Sequence, residues 1–351
     1  MRKIFITGIT GQDGSYLAEQ FLEKGCKVYG LVRRTSQQNA QNLVDIIEHK
    51  NLKLIEGDVT DSGCIHRIIH EIFPHEIYNL AAMSYVKASF DEPSHTWDVD
   101  AKGALNVLEA VRSCGSLVMK VYQASTSEMF GSMCSVLDKD GKRYNFLFNK
   151  NENFPGLNKF QDENTPFSPN SPYAIAKLAA HNLVHLYRES YGIYATSGIL
   201  MNHESPRRGA EFVTRKITKW IGQVVSNKVV PTLHLGNPDA RRDWGYAPDY
   251  MEAARHMLEA INPTDYVIAT GKTHSVREFL LEALEAANLP SSYENDFVVW
   301  QTSSHMRPCE VPYLKGDASK AKRELDWSPK TSFKELVRKM VENDIYLARN
   351  K

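Results

Sequence analysis

Apolar runs and apolar stripes alternate along this chain, and the alternation predicts a βα repeat. Lys3 to Thr7 is a short apolar run closed by Gly8, the mark of a strand buried on both faces. From Asp13 the apolar positions Leu17, Ala18, Phe21 and Leu22 fall on one helical stripe, and Gly25 stands where a left-handed cap would end it. Strands follow over Lys27–Val32, Leu52–Glu56, Ile77–Leu80 and Val118–Ala124, with helices near Cys64–Ile72 and Asp98–Ser113. Such repetition predicts an α/β fold: a doubly wound parallel Rossmann sheet with right-handed crossovers.

Between Gly131 and Pro166 both periods fail, in a stretch rich in Asn, Lys, Asp, Gly and Phe. Loops of this length tend to be lids or binding segments. A helix resumes over Tyr173–Tyr191 and a strand over Tyr194–Leu200, and the chain closes on the amphipathic stretch Phe333–Tyr346. The expected division is a Rossmann domain of residues 1–200 with parts of 240–270. Residues 201–239 and 271–351 then form a smaller substrate-binding lobe over the carboxyl edge of the sheet.

Composition narrows the classes. The 351 residues suffice for a large core, and 42% apolar with 24% charged is ordinary globular usage. Basic and acidic residues both number 42, so nothing in bulk charge argues for nucleic acid or a membrane surface. No apolar run approaches the ~20 residues of a membrane span. The five cysteines are scattered and form no CxxC pair, which suggests neither zinc nor a disulfide framework. They read as reduced thiols of a cytoplasmic protein.

Gly8-Ile9-Thr10-Gly11-Gln12-Asp13-Gly14 follows the first strand and opens the first helix. Glycines there allow a tight turn and bring backbone N–H groups to a pyrophosphate at the helix N-terminus. A glycine turn without a ligand is the plain alternative, weakened by the strand before it and the helix after it. The second strand ends in Arg33, Arg34, Thr35 and Ser36 rather than in a carboxylate. Two guanidiniums with hydroxyl donors suit a ribose 2′-phosphate, so NADP is the expected cofactor; a solvated basic loop is the alternative.

Tyr173 and Lys177 stand four apart at the start of a predicted helix, on one face. A positive charge near the phenol favours its ionised form and makes it a base for a hydroxyl proton. Ala124-Ser125-Thr126-Ser127-Glu128 lies at the carboxyl end of a strand, where open α/β sheets bind ligands. Thr126 and Glu128 there place a hydroxyl and a carboxylate close together; strand-end hydrogen bonding and a solvated loop carboxylate are the bland readings.

Taken together, TGITGQDGSYLAE, LVRRTS, QASTSEMFG, SPYAIAK, LMNHESPRRG and LGNPDARRDWGYAPDY resemble the motif series of the GDP-mannose 4,6-dehydratases, from Lys3 to about Leu325. The resemblance implies a redox-neutral dehydration without a metal. Tyr173, helped by Thr126, takes the carbon 4 hydroxyl proton as hydride passes to NADP. Glu128 removes the carbon 5 proton and protonates the departing carbon 6 hydroxyl, and hydride returns to carbon 6. Lys177 would hold the nicotinamide ribose, Asp58 and Val59 the adenine, and Leu80, Ala82 and Ser84 the length of the cofactor. His203 and Arg208 would also touch it. Asn202, Lys216, Arg242, Arg307 and Glu310, with Ser84, would contact the GDP-sugar.

Two departures stand out. Ser132 to Thr165 is longer than the family's connection, beside the sugar pocket, which keeps GDP-manno-heptose open as a substrate. Gln37 to Asn42 lacks the arginine of the segment that joins tetramers, so a homodimer through the helices near Asp98–Ser113 and Tyr173–Tyr191 is expected and a homotetramer is in doubt. A sugar-nucleotide epimerase or reductase would share the glycine loop and the Tyr–Lys pair but needs no Glu128. A catalytically silent dinucleotide sensor would have lost one of the three.

Overall fold

The computed structural model describes residues 1–34, 40–115, 119–148, 156–226, 230–302 and 308–350. The chain opens with β1 (Lys3–Thr7), α1 (Gln12–Glu23), β2 (Lys27–Val32), β3 (Leu52–Glu56), α2 (Ser62–Ile72) and β4 (Glu76–Asn79). Short helices α3 (Ala88–Asp91) and α4 (Pro93–Trp97) lead through a π turn, Asp98–Lys102, into α5 (Gly103–Ser113). Next come β5 (Lys120–Thr126), β6 (Met133–Leu137), β7 (Arg143–Leu147), α6 (Pro172–Tyr191) and β8 (Tyr194–Leu200). The second half brings β9 (Asn202–Glu204), α7 (Val213–Ser226), β10 (Leu233–His234), β11 (Arg241–Arg242), β12 (Trp244–Tyr246), α8 (Ala247–Glu259) and β13 (Tyr266–Ile268). It ends with β14 (His274–Ser275), α9 (Val276–Ala286), α10 (Tyr293–Phe297), β15 (Val298–Val299), α11 (Ser319–Leu325) and α12 (Phe333–Arg349).

Seven of these strands form one sheet in the order β13-β8-β5-β4-β1-β2-β3, with every neighbouring pair parallel. Alternation along β1 sorts the core. Ile4 and Ile6 pack with Leu17 and Phe21 on one face, while Phe5 packs with Ile65, Ile69 and Val107 on the other. The chain runs outward in opposite directions from β1 and β4, which opens a crevice at their carboxyl ends. Thr7 donates to the Asn79 side chain at 2.7 Å, and Asn79 donates to Gln123 at 2.7 Å. This buried ladder ties β1, β4 and β5 together where the crevice begins.

A separate core holds the lobe: Ile217, Trp220, Trp244, Phe279, Leu280, Leu336 and Met340. The division at residue 271 does not follow the packing throughout. Val311, Leu314, Ala321, Leu325 and Trp327 join the sheet-side core with Tyr250 and Met251. Asp243, wholly buried, accepts from the amides of Thr270, Gly271 and Gly316 and so stitches that returning segment to the end of β13.

The first part of the stretch after Gly131 is regular where the sequence showed no period. β6 and β7 pair antiparallel, from Met133 opposite Leu147 to Leu137 opposite Arg143. Asp138 caps the turn by accepting from Asp140 and Lys142, and Gly141 takes a φ of 77° that few other residues tolerate. Asp140-Gly141 was the legible signal for this hairpin. Phe160 bridges back to Ser135, Gln161 bonds Lys315 and Gly316 bridges Gln161, so the insertion is strapped onto the returning C-terminal segment.

α12 is fixed to α7 by one carboxylate. Asp344 accepts from Nε and Nη2 of Arg215, each at 2.7 Å, and from Thr218 Oγ1 at 2.6 Å, with its side chain only 3% exposed. Truncation leaves a buried guanidinium without its carboxylate, only Nη1 keeping the Arg208 carbonyl, and such a loss typically costs about 3–5 kcal/mol. Asp344→Ala is therefore expected to lower unfolding free energy by about 3 kcal/mol or more in urea titration, while Arg338→Ala, in an exposed pair, changes it by less than about 1 kcal/mol.

Candidate active site

The crevice holds a cavity of about 340 Å³ whose walls come from the ends of β1, β2, β3, β4, β5 and β8 and the start of α6. At its floor the glycine loop is very tight. Gly8 has a φ of 70°, and a Cβ there would lie 2.9 Å from Ala81 N. A Cβ on Gly14 would meet Gly8 O at 2.4 Å, so α1 can cross the loop only with glycine at both places. Gly11, the residue before α1, has no side chain to cap the first turn, and the leading amides of that helix border the cavity.

Gln12 and Asp13 are held from across the cleft. Gln12 donates to His203 O at 3.1 Å and accepts from Ser205 at 2.8 Å. His203 Nε2 lies 2.8 Å from Asp13 Oδ2. Burial works against the Asp13 charge, but the His203 charge and hydrogen bond outweigh it and hold the carboxyl below its ordinary value. For His203 burial again opposes the charge, and Asp13 wins, raising the imidazole above 6.5.

On the opposite wall, Ser171 caps α6 by accepting from Ala174 at 3.1 Å, with Pro172 in the first turn. That start places Tyr173 and Lys177 in the cavity, both buried. Thr126 hydrogen-bonds the Tyr173 phenol and accepts from the Glu128 amide at 3.2 Å. Glu128 follows in a tight turn, Ser127–Phe130, and is 7% exposed. Lys177 Nζ donates to Ala124 O at 2.9 Å and sits 5.9 Å from the Tyr173 ring centre.

One expectation from sequence meets a larger force. The lysine was expected to lower the phenol's pKa. In the fold, burial raises the Tyr173 phenol well above its ordinary value, and the negative charge of Asp100 adds to it. Burial in turn lowers the Lys177 pKa, opposed by Asp100 and Asp13. Asp100 itself, in the π turn, is pushed up by burial against the pull of Lys177.

Of the residues singled out from sequence, Gly8, Thr10, Gly11, Gln12, Asp13, Gly14, Arg33, Asp58, Val59, Leu80, Ala82, Ser84, Thr126, Glu128, Tyr173, Lys177, Asn202, His203 and Arg208 line this one cavity. Arg34 is exposed beyond it. Arg242 and Glu310 lie outside its lining and pair with each other at 3.1 Å. Lys216, on α7, also stands apart, near Lys87 and Glu211. Thr35 and Arg307 fall outside the described residues. Sequence reasoning missed Met83, Val86, Val99 and Phe212 as lining groups, and Asp100 and His181 behind them. Asp100 carried no signal, because in a helical pattern it reads as a solvated carboxylate; it accepts from Met83 N at 2.9 Å instead.

A nicotinamide dinucleotide, which the glycine loop implies, fits these residues. The cradle between Gly8, Gly14 and Ala81 has no room for side chains, and the buried Asn202 Oδ1, also in the lining, has no partner among the described residues.

Residues 4–269 match the family described as NAD dependent epimerase/dehydratase. The chain is 45% identical over 364 residues to the GDP-mannose 4,6 dehydratase of Homo sapiens, covering 98% of this chain and 91% of the relative. It is 46% identical over 358 residues to GDP-mannose 4,6 dehydratase 1 of Arabidopsis thaliana, covering 99% and 91%. It is also 42% identical over 377 residues to the Vibrio cholerae GDP-mannose 4,6-dehydratase, covering 99% and 95%. Among solved structures, DesIV of Streptomyces venezuelae, a dTDP-glucose 4,6-dehydratase with NAD and TYD bound, shares the fold at a TM-score of 0.81. Its identity is 21%, with 97% of this chain and 96% of that one covered.

The Asp13–His203 pair sets a pH window. The His203 contribution is full below 6.5 and is lost as pH rises through its raised value; the Asp13 contribution is present above 3.8 and is lost as pH falls through its lowered one. By NMR titration His203 is expected to lose its proton above pH 6.5. In Asp13→Asn, burial acts with Arg208 against the charge and the midpoint is expected to fall below 6.5. An unchanged midpoint in that variant would show that the pair is not what holds the proton.

Proposed function

The chain belongs to the NAD dependent epimerase/dehydratase family and, within it, to the GDP-mannose 4,6-dehydratases, and from that premise we propose that it removes water from GDP-mannose in the cavity described. The observation that carries the reading is Glu128, buried in the same cavity as Tyr173 and two residues after the Thr126 that bonds it. An epimerase or reductase needs the Tyr173–Lys177 wall alone. A carboxylate beside that wall serves a reaction that also breaks a carbon 5–hydrogen bond.

When bound, the nicotinamide dinucleotide would supply the acceptor for the carbon 4 hydride and the donor that returns it to carbon 6 once water has left, so that the dehydration is redox-neutral. Tyr173 takes the carbon 4 hydroxyl proton, with Thr126 orienting the phenol and Lys177 beside it on α6. The resulting ketone acidifies the proton on carbon 5. Glu128 removes that proton and gives one to the carbon 6 hydroxyl, which departs as water. One carboxylate acts in both directions because the two carbons are adjacent. The glycine loop and the leading amides of α1 would hold the diphosphate of the dinucleotide, and Asp58 and Val59 would border its adenine.

NADP is the proposed form, supported by Arg33 in the lining, Arg34 beyond it and the absence of a carboxylate at the end of β2. Lys216, Arg242, Glu310 and Arg307 remain proposed contacts to the nucleotide diphosphate and ribose. A homodimer through α5 and α6 is also proposed. Ile175, Leu186 and Tyr191 on α6 and Trp97 at the end of α4 each keep 48–51% of their surface exposed, apolar area that a second copy would cover. Among the described residues no helix is long and apolar enough to cross a membrane, and none of the five cysteines is disulfide-bonded. A cytoplasmic setting accords with those thiols.

Two measurements test the reading. Mass spectrometry of GDP-mannose and, separately, GDP-manno-heptose with catalytic NADP should show loss of water from GDP-mannose. Glu128→Gln is expected to cut that rate by about a hundredfold or more, the scale of general acid–base catalysis. Turnover of the heptose alone would move the substrate, and turnover of neither would remove the proposal. By calorimetry, Arg33→Ala should weaken NADP binding by about tenfold and leave NAD binding nearly unchanged. Equal losses for both would exclude a 2′-phosphate contact.

A further inference from the structure

We propose that Ser125 is a hydrogen-bond acceptor for a ligand O–H or N–H in this cavity, and that His181 is the positioning residue that gives it that polarity. The inference rests on the sugar-nucleotide reading of the site and adds a pair of residues to it. Ser125 precedes Thr126 on β5, lines the cavity and is 4% exposed. Its hydroxyl oxygen lies 3.2 Å from Nδ1 of His181. His181 stands one turn beyond Lys177 on α6, so the same helix face presents Tyr173, Lys177 and this imidazole.

The far side of the ring is organised as well. Nε2 is 4.0 Å from the Asp265 carboxylate. Asp265 is itself fixed by two Arg188 nitrogens at 3.0 Å and by the Ser197 amide at 2.8 Å. Phe167 meets the ring edge-on with centres 5.3 Å apart. His181 is 8% exposed, too buried for water to set its orientation.

Proton inventory decides the direction of the Ser125 bond. A carboxylate beside Nε2 favours the tautomer that carries its proton there, which leaves Nδ1 with a lone pair. Burial lowers the imidazole's pKa, with Arg188 and His185 acting in the same sense against Asp265, so the ring is neutral near pH 7. Ser125 must then donate its single proton to Nδ1. A hydroxyl so committed can only accept from anything else it meets. Without His181 the hydroxyl would rotate to suit either partner, and the site would lose that discrimination.

The donor it meets is either a sugar hydroxyl or the carboxamide N–H of the nicotinamide, and the test separates them. Ser125→Ala removes the acceptor. His181→Phe keeps the ring volume without Nδ1, and His181→Asn returns an oxygen acceptor near the place of Nδ1. Calorimetry is run with NADP and with GDP-mannose, each in the Glu128→Gln background to prevent turnover. Ser125→Ala should weaken one ligand by about three- to tenfold, the scale of one hydrogen bond, and His181→Phe, which leaves a hydroxyl that still accepts but is no longer held to do so, should weaken the same ligand by about two- to threefold. The double variant should be no worse than Ser125→Ala alone, and His181→Asn should restore most of what His181→Phe loses.

A loss confined to GDP-mannose assigns the contact to the sugar, and one confined to NADP assigns it to the carboxamide. Nitrogen-15 spectra of the ligand-free protein should show His181 protonated at Nε2 and bare at Nδ1. If GDP-mannose binds no variant, the sugar-nucleotide reading has failed, while the spectrum and the NADP arm still decide this proposal. A proton on Nδ1 at neutral pH, or unchanged binding of both ligands in Ser125→Ala, overturns it.

Discussion

The reversal of strand order between β1 and β4 is the constraint on which the rest of this structure depends. Because the chain leaves those two parallel strands in opposite directions, their carboxyl ends part and leave backbone without a neighbouring loop to cover it. The Thr7–Asn79–Gln123 ladder keeps the strands in register up to the last residue before they part. Thr7 Oγ1 also accepts from the amides of Leu80 and Ala81 at 3.1 Å, so the first residues of the diverging loop are anchored as well. From that anchor Gly8 and Ala81 come close enough to exclude a side chain. The dinucleotide cradle is thus a consequence of strand order, made tight by a buried threonine.

Burial is the second theme, because it is the largest influence on five ionisable groups in and behind the cavity, Asp13, Asp100, Tyr173, Lys177 and His203. It works against the charges of Asp13, His203, Lys177 and Asp100, and each is answered by a specific partner. Asp13 and His203 answer each other across the glycine loop, joining α1 to the segment after β8. Lys177 and Asp100 do so more weakly across α6 and the π turn, with the Lys177 ammonium also bonded to Ala124 O. Tyr173 receives no such help from Lys177, and its phenol stays protonated in the bare site. A positive nicotinamide ring, drawn to a cavity with Asp100 behind it, would supply the missing charge at the moment the base is required.

Much of this was readable from residues whose pattern has a single physical meaning. Strands buried on both faces, a glycine where a left-handed cap is needed and an i, i+4 pair at a helix start all describe local backbone, and local backbone is what sequence periodicity encodes. β1, β2, β3 and β8 lie where the apolar runs place them. The hairpin after Gly131 escaped because its strands hold Cys, Ser, Asn and Tyr rather than alternating aliphatic residues, while its Asp-Gly turn was outweighed by the polar surroundings. The return of residues 311–327 to the sheet-side core escaped for another reason: it is a fact about two distant segments, and no period marks it. Asp100 and His181 belong to the same class, since each is defined by what it faces across the fold.

The insertion shows how such distant contacts shape the substrate side. Gln161 bonds Lys315 from both its backbone and its side chain, and Leu314 in turn donates to the Arg241 carbonyl. Arg242, the next residue, pairs with Glu310 near the start of the same returning segment. Gln161, beyond the hairpin, therefore grips the segment that follows Glu310, beside the proposed nucleotide contacts, although Arg242 and Glu310 do not line the cavity where Glu128 and Tyr173 sit. Its base, meanwhile, is continuous with the Ser127–Phe130 turn through Gly131, where a Cβ would collide with Ser168 O. One stretch of chain thus connects Glu128, the proposed acid and base, to the residues proposed to meet the nucleotide. On the proposed contacts a sugar nucleotide would have to reach both, and the described residues 132–148 and 156–165 help to set the distance between them.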